Sequence, residues 1–483
     1  MKSPYNRSRR RRPHGRGAMR LSPARGTVPA TVTALLWCAA AGATDVVSVD
    51  TTRVLLERDV NPVGININYL RDDDHNRPAN ACALHAAMKE MGVVWVRYPG
   101  GEKSDWHMFA RPPFARPDPQ TFGWYAPRVR DSMDFDEFIR CVRGFGGRPV
   151  VVVPYDSLKR TGKTRKGFLE HAVAWVRYAN VTRRYGVRHW EIGNENWHNG
   201  TASADEMGRI AAEFAQAMKA VDPTIHVGTS GNRTAWFKTV LDAAGEHLDF
   251  LTVSNYRGWT DGFDRYRRTP RIALDGPARN AERAIDASPY RDRMKVIVAE
   301  FNAVDFKKRW PPRNDLGHAI VSFDIAGQLI LRPRVECAML WTTRWMDAEK
   351  PDSMWYALGP HNEIRVAGRP LAIWGRFLKP AMVSVTTPSH LVGYASSDRH
   401  AGALTVFIIN KREASTSVDL RISPHRGPLR ADIHRFSGTG DADVNPTWRG
   451  VGSRSAPDGR VLPVNLPGTS ITVIDLAPDT SRR

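Results

Sequence analysis

The sequence predicts an α/β fold, a (β/α)8 TIM barrel with a C-terminal β-sandwich domain, on three observations. Its 483 residues are too many for one ordinary domain but suit a barrel of about 250 residues or more plus a domain of roughly 100. Between Val63 and Lys379, short β-rich runs alternate with helix-like segments, the order that builds a parallel sheet. From Ala381 the pattern changes to short β runs broken by Gly, Pro and Ser.

Taken in order, residues 1–43 read as a basic leader. An apolar stretch at 28–41 follows the basic region and is succeeded by the small-x-small site Ala41-Gly42-Ala43. It is shorter than the roughly 18 apolar residues that a spanning helix needs, so no stable membrane span is expected. Met19 would serve as a start with a more usual leader, and bulky Trp37 before Cys38 disfavours a lipoprotein. Export to a secreted or periplasmic location is the expectation.

Residues 44–62 hold a strand-like segment at 46–56, expected to join the sandwich, and residues 63–380 are the expected catalytic barrel. Its eight strands are placed at 63–68, 93–98, 148–154, 188–194, 225–229, 250–255, 295–299 and 335–341. After the fourth strand, Ser203 and Glu206 form an expected capping box, Met207, Ile210, Phe214 and Met218 follow at helical spacing, and the helix stops before Asp222-Pro223. Those apolar residues are assigned to core packing. Residues 381–483 supply the sandwich, with strands at 404–410, 416–422 and 471–476.

A formal charge of +20 invites a nucleic-acid reading. Nine basic residues, Lys2 to Arg25, precede the first acid at Asp45 and leave +11 on the remainder, scattered and without a basic stripe interleaved with aromatics. Nucleic acid is therefore excluded as partner, whereas a basic surface suits an acidic polysaccharide. Cys82 and Cys141 on expected helices and Cys337 on an expected strand show no metal-ligand spacing and read as buried structural thiols.

Two carboxylates carry the chemistry. Glu195 lies in His189-Trp190-Glu191-Ile192-Gly193-Asn194-Glu195-Asn196-Trp197, and Glu300 ends the apolar run of Val296-Ile297-Val298-Ala299-Glu300-Phe301-Asn302. Both fall at C-terminal ends of expected strands, the fourth and the seventh, where a barrel of this kind assembles its active site. A lone glutamate after an apolar run is more often a helix N-terminal charge. Two on these strands, flanked by Asn194 and Asn302, favour glycosidic bond cleavage instead. Retaining cleavage needs carboxyl groups about 5 to 5.5 Å apart, one attacking the anomeric carbon and the other protonating the leaving oxygen. Glu195 is assigned as acid/base and Glu300 as nucleophile. Asn194 is expected to hydrogen-bond the sugar 2-OH, and Tyr256, ending the sixth strand, to hydrogen-bond Glu300.

At this point a family emerges. Gly193-Asn194-Glu195, Ala204-Asp205-Glu206-Met207-Gly208-Arg209 and Val221-Asp222-Pro223 resemble glycoside hydrolase family 51, the α-L-arabinofuranosidases among the clan-A retaining enzymes. Arg97-Tyr98-Pro99-Gly100-Gly101 is similar to that family's second-strand loop, Asp134-Phe135-Asp136-Glu137-Phe138 to its next helix, and Glu300-Phe301-Asn302 to its nucleophile motif. The resemblance spans roughly residues 60 to 345 and implies a barrel, a β-sandwich and a glycosyl-enzyme mechanism. Two positions depart from the family. The first-strand loop Gly64-Ile65-Asn66-Ile67-Asn68-Tyr69 lacks its sugar-contacting Glu, and Ser254 stands where a His is usual.

Arg97 is expected to orient a catalytic carboxylate inside the barrel, with substrate contact as the alternative. Trp341, with Arg344 and Trp345 behind it, and Asn302 are expected to contact substrate, and Trp197, Trp259, Trp106, His107, Trp124 and Tyr125 are candidates for the cleft wall. Asp72-Asp73-Asp74-His75 reads as a solvated turn rather than a calcium loop, and neither metal nor cofactor is called for.

The expected function is hydrolysis of an oligo- or polysaccharide, most specifically as an α-L-arabinofuranosidase. A clan-A hydrolase of another sugar (xyloside, glucuronide or an acidic polysaccharide) is the alternative. A non-catalytic carbohydrate-binding envelope protein is the rival from another class.

Overall fold

The computed structural model of the protein describes residues 44–479, apart from 130, 156–163, 201, 257–261, 307–308, 346–351, 425–426 and 457. The expected leader and Trp259 lie outside the described residues. The first strand, β1 (Asp45–Glu57), precedes the barrel. There follow β2 (Val63–Asn66), α1 (Leu84–Met91) and β3 (Trp95–Tyr98), a small hairpin of β4 (His107–Met108) and β5 (Gln120–Thr121), then α2 (Phe135–Gly144) and β6 (Arg148–Val153). The chain continues through α3 (Arg165–Val176), β7 (His189–Ile192), α4 (Ala204–Val221), β8 (His226–Ser230), α5 (Thr234–Ala244) and β9 (Phe250–Tyr256). It completes the circuit with α6 (Gly262–Arg268), α7 (Gly276–Asp286), β10 (Lys295–Asn302), α8 (Leu316–Ile330), β11 (Val335–Leu340) and α9 (Arg369–Phe377).

Strands β2, β3 and β6 to β11 pair in parallel and close into a barrel, β11 returning to β2. Strand side chains alternate between inside and outside, so each strand splits its residues between two cores. Trp95, Val150, Phe250, Ile297, Cys337 and Met339 fill the interior. Their bulk requires small neighbours: a Cβ on Gly228 would fall 2.2 Å from the Phe250 ring. The outward residues pack under the helices.

One irregularity decides where the chemistry goes. From Lys295 to Val298, β10 pairs residue for residue with β9, and then Ala299 is skipped and Glu300 pairs with Ser254. An extra residue in one strand reverses the alternation beyond it. Ile297 faces the interior below the bulge, and Glu300 rather than Ala299 faces it above. Glu300 thus lies within β10, which runs on to Asn302, rather than just past a strand ending at 299.

The second sheet comprises β12 (Ala381–Thr386), β13 (Leu391–Asp398), β14 (Ala403–Asn410), β15 (Thr416–Ser423), β16 (Leu429–Ser437), β17 (Thr447–Ala456), β18 (Val461–Leu466) and β19 (Ser470–Pro478), with β1 between β12 and β15. Its strands all send side chains into one apolar cluster. A flat sheet cannot do that, so it folds over on itself as a sandwich. The alternate residues of β14, Phe407 and Ile409, join the barrel-side core, where Trp374 of α9 stacks on Phe323 of α8 with centroids 4.6 Å apart.

Local expectations change in three places. On α4 the Ser203 side chain accepts from the Glu206 amide, one half of a capping box. Cys82 is exposed just before α1, and Cys141 is only half-buried, so buried thiol describes Cys337 alone. Asp72 is fully buried rather than solvated, accepting from Arg344 Nη1 at 2.7 Å and from the Asn68 amide at 2.6 Å.

Candidate active site

Arg97 on β3 is the centre of the site. Fully buried, it donates from Nε to Glu191 Oε2 (2.7 Å), from Nη1 to Glu300 Oε1 (2.9 Å) and Asn66 Oδ1 (3.2 Å), and from Nη2 to Asn194 Oδ1 (2.8 Å). Burial alone would lower its pKa, but Glu191 and Glu300 outweigh that and raise it. A guanidinium has donors only, so Asn194 must turn its Oδ1 toward Arg97. That leaves Asn194 Nδ2, buried and without a hydrogen bond among the described residues, free to donate to a bound hydroxyl.

Strand β9 supplies three hydroxyls on one face by simple alternation. Thr252 Oγ1 donates to Glu191 Oε1 at 2.7 Å, Ser254 hydrogen-bonds Glu195, and Tyr256 donates to Glu300 Oε2 at 2.5 Å. Each carboxylate receives its own donor, and both oxygens of Glu191 and of Glu300 are engaged. Burial, then Glu300 and Glu195, push the Tyr256 hydroxyl well above its ordinary range, so it remains a donor.

Glu195 sits on a tight turn beyond β7. Gly193 and Glu195 have φ of 68° and 45°, a conformation costing a side-chain-bearing residue about 1–2 kcal/mol. Asn196 holds the turn, with Nδ2 on the Ile192 carbonyl (3.0 Å) and Thr229 Oγ1 (2.8 Å), and its amide on Ser230 Oγ (2.9 Å). Burial, followed by the charge of Glu300, pushes the Glu195 carboxyl up to about 8, against the pull of Ser254 and Arg97. Of the pair, Glu195 retains its proton at neutral pH and Glu300 accepts hydrogen bonds on both oxygens, the asymmetry that an acid and a nucleophile require.

Trp341 follows β11 and is buried. It meets Trp345 edge-on at 5.4 Å, and the aromatic line continues through Trp355 and Tyr256 to Phe306, which is 63% exposed. Asn302, expected to contact substrate, has its side chain engaged within the fold. Its Nδ2 donates to the Trp341 carbonyl and its Oδ1 accepts from the Ala303 amide and Ser322, so it positions Trp341. Trp197 lines a groove of about 580 Å³ with Asn232, Arg233 and Trp236, beside β8, and its ring lies tilted against His198 with centroids 5.2 Å apart. Within the long insert, Trp106, His107 and Tyr125 are buried packing residues rather than cleft wall, and Trp124 alone of the four is exposed.

Sequence reasoning missed Glu191, Asn66, Phe306 and Trp355. For Glu191 a signal existed, an acid between the apolar residues Trp190 and Ile192 of a strand. For the rest no motif marks them. Asp73, His75 and Glu137 bring ligand atoms within 4.8 Å of one another, but they belong to the loop after β2 and to α2, apart from the Glu195–Glu300 cluster.

The chain thus belongs with TIM-barrel proteins that carry glutamates around a buried arginine at the barrel mouth and an appended β-sandwich. Among them the chain is similar to α-L-arabinofuranosidases. Residues 87–271 match the model of the alpha-L-arabinofuranosidase 1 domain. The intracellular exo-alpha-(1->5)-L-arabinofuranosidase 1 of Bacillus subtilis is 27% identical over 199 residues, 37% of this chain and 39% of that protein. An exo-alpha-(1->6)-L-arabinofuranosidase of Bifidobacterium longum is 25% identical over 244 residues, 44% of this chain and 45% of that one. The aligned part thus spans less than half the length of these relatives. The crystal structure of the Thermotoga maritima α-L-arabinofuranosidase shares the fold, with a TM-score of 0.70 at 19% identity over 89% of this chain and 99% of that one.

One expectation is overturned by these relatives. Five of them are named intracellular arabinofuranosidases, against the export read from residues 1–43. Among the described residues no helix is long and apolar enough to cross a membrane.

Proposed function

We propose that this protein is a retaining glycoside hydrolase of α-L-arabinofuranosidase type, with Glu300 as nucleophile and Glu195 as acid/base. The observation that carries the reading is the unequal treatment of the two carboxyl groups: Arg97 and Tyr256 donate to Glu300, while burial and Glu300 keep Glu195 protonated. In the first step a Glu300 oxygen bonds to the anomeric carbon as the glycosidic C–O bond breaks, and the Glu195 proton passes to the departing oxygen. In the second, Glu195 takes a proton from water, whose oxygen displaces Glu300 and regenerates both groups. Asn194 Nδ2 donates to the sugar 2-OH, a contact that strengthens as positive charge develops at the anomeric carbon.

The test is turnover of aryl α-L-arabinofuranoside, β-xyloside and β-glucuronide by the protein and by Glu195→Ala and Glu300→Ala variants, with the first-formed anomer read by proton NMR. Retention, with activity lost in the Glu300 variant, is the expected result. Inversion, or equal activity of the Glu300 variant, overturns the assignment.

A further inference from the structure

Among the described residues, Lys103 is a buried cation without a hydrogen-bond partner. Gly100 and Gly101, at φ of 90° and 63°, turn the chain after β3 across the barrel mouth, and a Cβ on Gly101 would lie 2.0 Å from the Trp341 ring. The short helix Gly101–Trp106 therefore rests directly on Trp341 and carries Lys103 inward. Its side chain has no solvent exposure, its Nζ lies 4.6 Å from the Trp341 ring centre and 5.1 Å from that of Trp345, and it makes no hydrogen bond among the described residues. Ring faces attract an ammonium but leave its three donors unused.

A lysine kept for structure looks different in this same protein. Lys411 is equally buried and donates to the Thr269 carbonyl at 2.6 Å and the Pro270 carbonyl at 3.1 Å. Nor do the acids around Lys103 satisfy it. Glu300, Asp72 and Glu102 attract it and Arg97 repels it, but Glu300 is bonded to Arg97 and Tyr256, and Asp72 to Arg344 and Thr343. Burial lowers the Lys103 pKa to about 8, so the group is still mostly charged at neutral pH. A desolvated charge of this kind is costly unless an opposite charge meets it.

We propose that Lys103 Nζ binds the carboxylate of the sugar seated against Trp341, so that the glycan processed here presents an acidic sugar at this site. The proposal rests on the glycoside hydrolase reading for the location of the sugar and changes only its class, from neutral to uronic. In the first-strand loop Asn66 and Asn68 are neutral, and Asp72 just beyond them is already paired with Arg344 and Thr343.

The experiment is calorimetric titration of the full chain with matched sugars that differ only by a carboxylate: D-galacturonate against L-arabinose, and D-glucuronate against D-xylose. At pH 6.5 one acid is expected to bind roughly tenfold or more tightly than its neutral counterpart. Lys103→Met should abolish that preference and leave neutral binding unchanged, Lys103→Arg should retain part of it, and raising the pH through 8 should weaken it in the native protein. Thermal melting separates a structural role: Lys103→Met should melt at or above the native temperature, because it removes an unpaired buried charge. Acids binding no better than neutral sugars, or Lys103→Met weakening both alike or melting lower, overturns the proposal. Aryl glycosides of the same four sugars are assayed in parallel. Acid preference in binding without any turnover sinks the hydrolase reading and leaves Lys103 as a carboxylate site, and turnover without acid preference does the reverse.

Discussion

Ser254 lies directly across the β9–β10 pairing from Glu300, yet its hydroxyl bonds Glu195. The neighbour in the sheet thus serves the other carboxyl group, and the residue two further along, Tyr256, serves Glu300 at 2.5 Å. Because the Ser254 bond pulls the Glu195 pKa down, Ser254→Ala should raise it above its value of about 8. The alkaline limb of the kcat/KM profile is then expected to move upward in pH, with activity at pH 6 little changed. A limb that stays in place or moves down counts against Glu195 as the acid.

Glu195 also links pH to stability. In the folded chain its carboxyl holds the proton up to about 8, whereas an unfolded glutamate releases it near 4.3. Between these values the folded state binds more protons, so the Glu195 contribution falls as pH rises from about 4.5 to 8 and is level outside that window. Glu195→Gln cannot titrate. Its stability relative to the native protein should therefore increase from pH 5 to pH 8 in urea unfolding, and a constant difference refutes the raised pKa.

Arg97 faces Glu191 and Glu300 together. Arg97→Met leaves both buried without a cation and is expected to cost about 3–5 kcal/mol of stability. Arg97→Lys keeps the charge but not the fork of donors, and should cost about 2–3 kcal/mol. Chemical denaturation ranks the two, and a lysine variant as stable as native protein excludes the fork as the organising element.

Tyr256→Phe removes one donor from Glu300 and leaves Arg97 in place. The expected result is a fall in kcat of roughly 100-fold with KM little changed, and a melting temperature close to native. A change confined to KM would make Tyr256 a binding residue only.

Asp72 and Arg344 form a second buried pair, and Arg344 Nη2 also donates to the Gly359 carbonyl. Arg344→Met should destabilise the protein by about 3–5 kcal/mol through the unpaired Asp72. The double variant Asp72→Asn, Arg344→Met should recover part of that loss in the same unfolding assay. Additive losses would show the two residues to be energetically independent.

The periodic part of the protein follows from its sequence alone. Alternating apolar strands and amphipathic helices oblige a parallel sheet covered by helices, because each face must find another to bury against. That Glu195 and Glu300 would meet was legible because strand ends of a parallel barrel converge whatever their separation along the chain. The tertiary structure alone decided what cannot be written in a local pattern. The skipped Ala299 turns Glu300 inward, and only the partner strand defines a bulge. Thr252, Ser254 and Tyr256 become a set of donors only once three carboxylates stand opposite them. Asn302 follows Glu300 by two residues, but the Trp341 carbonyl, 39 residues away, claims its amide. Lys103 is an ordinary lysine in a loop until Trp341 and Trp345 close over it. In each case the deciding energy is the cost of leaving a buried polar group unpaired, and burial is a property of the assembled chain.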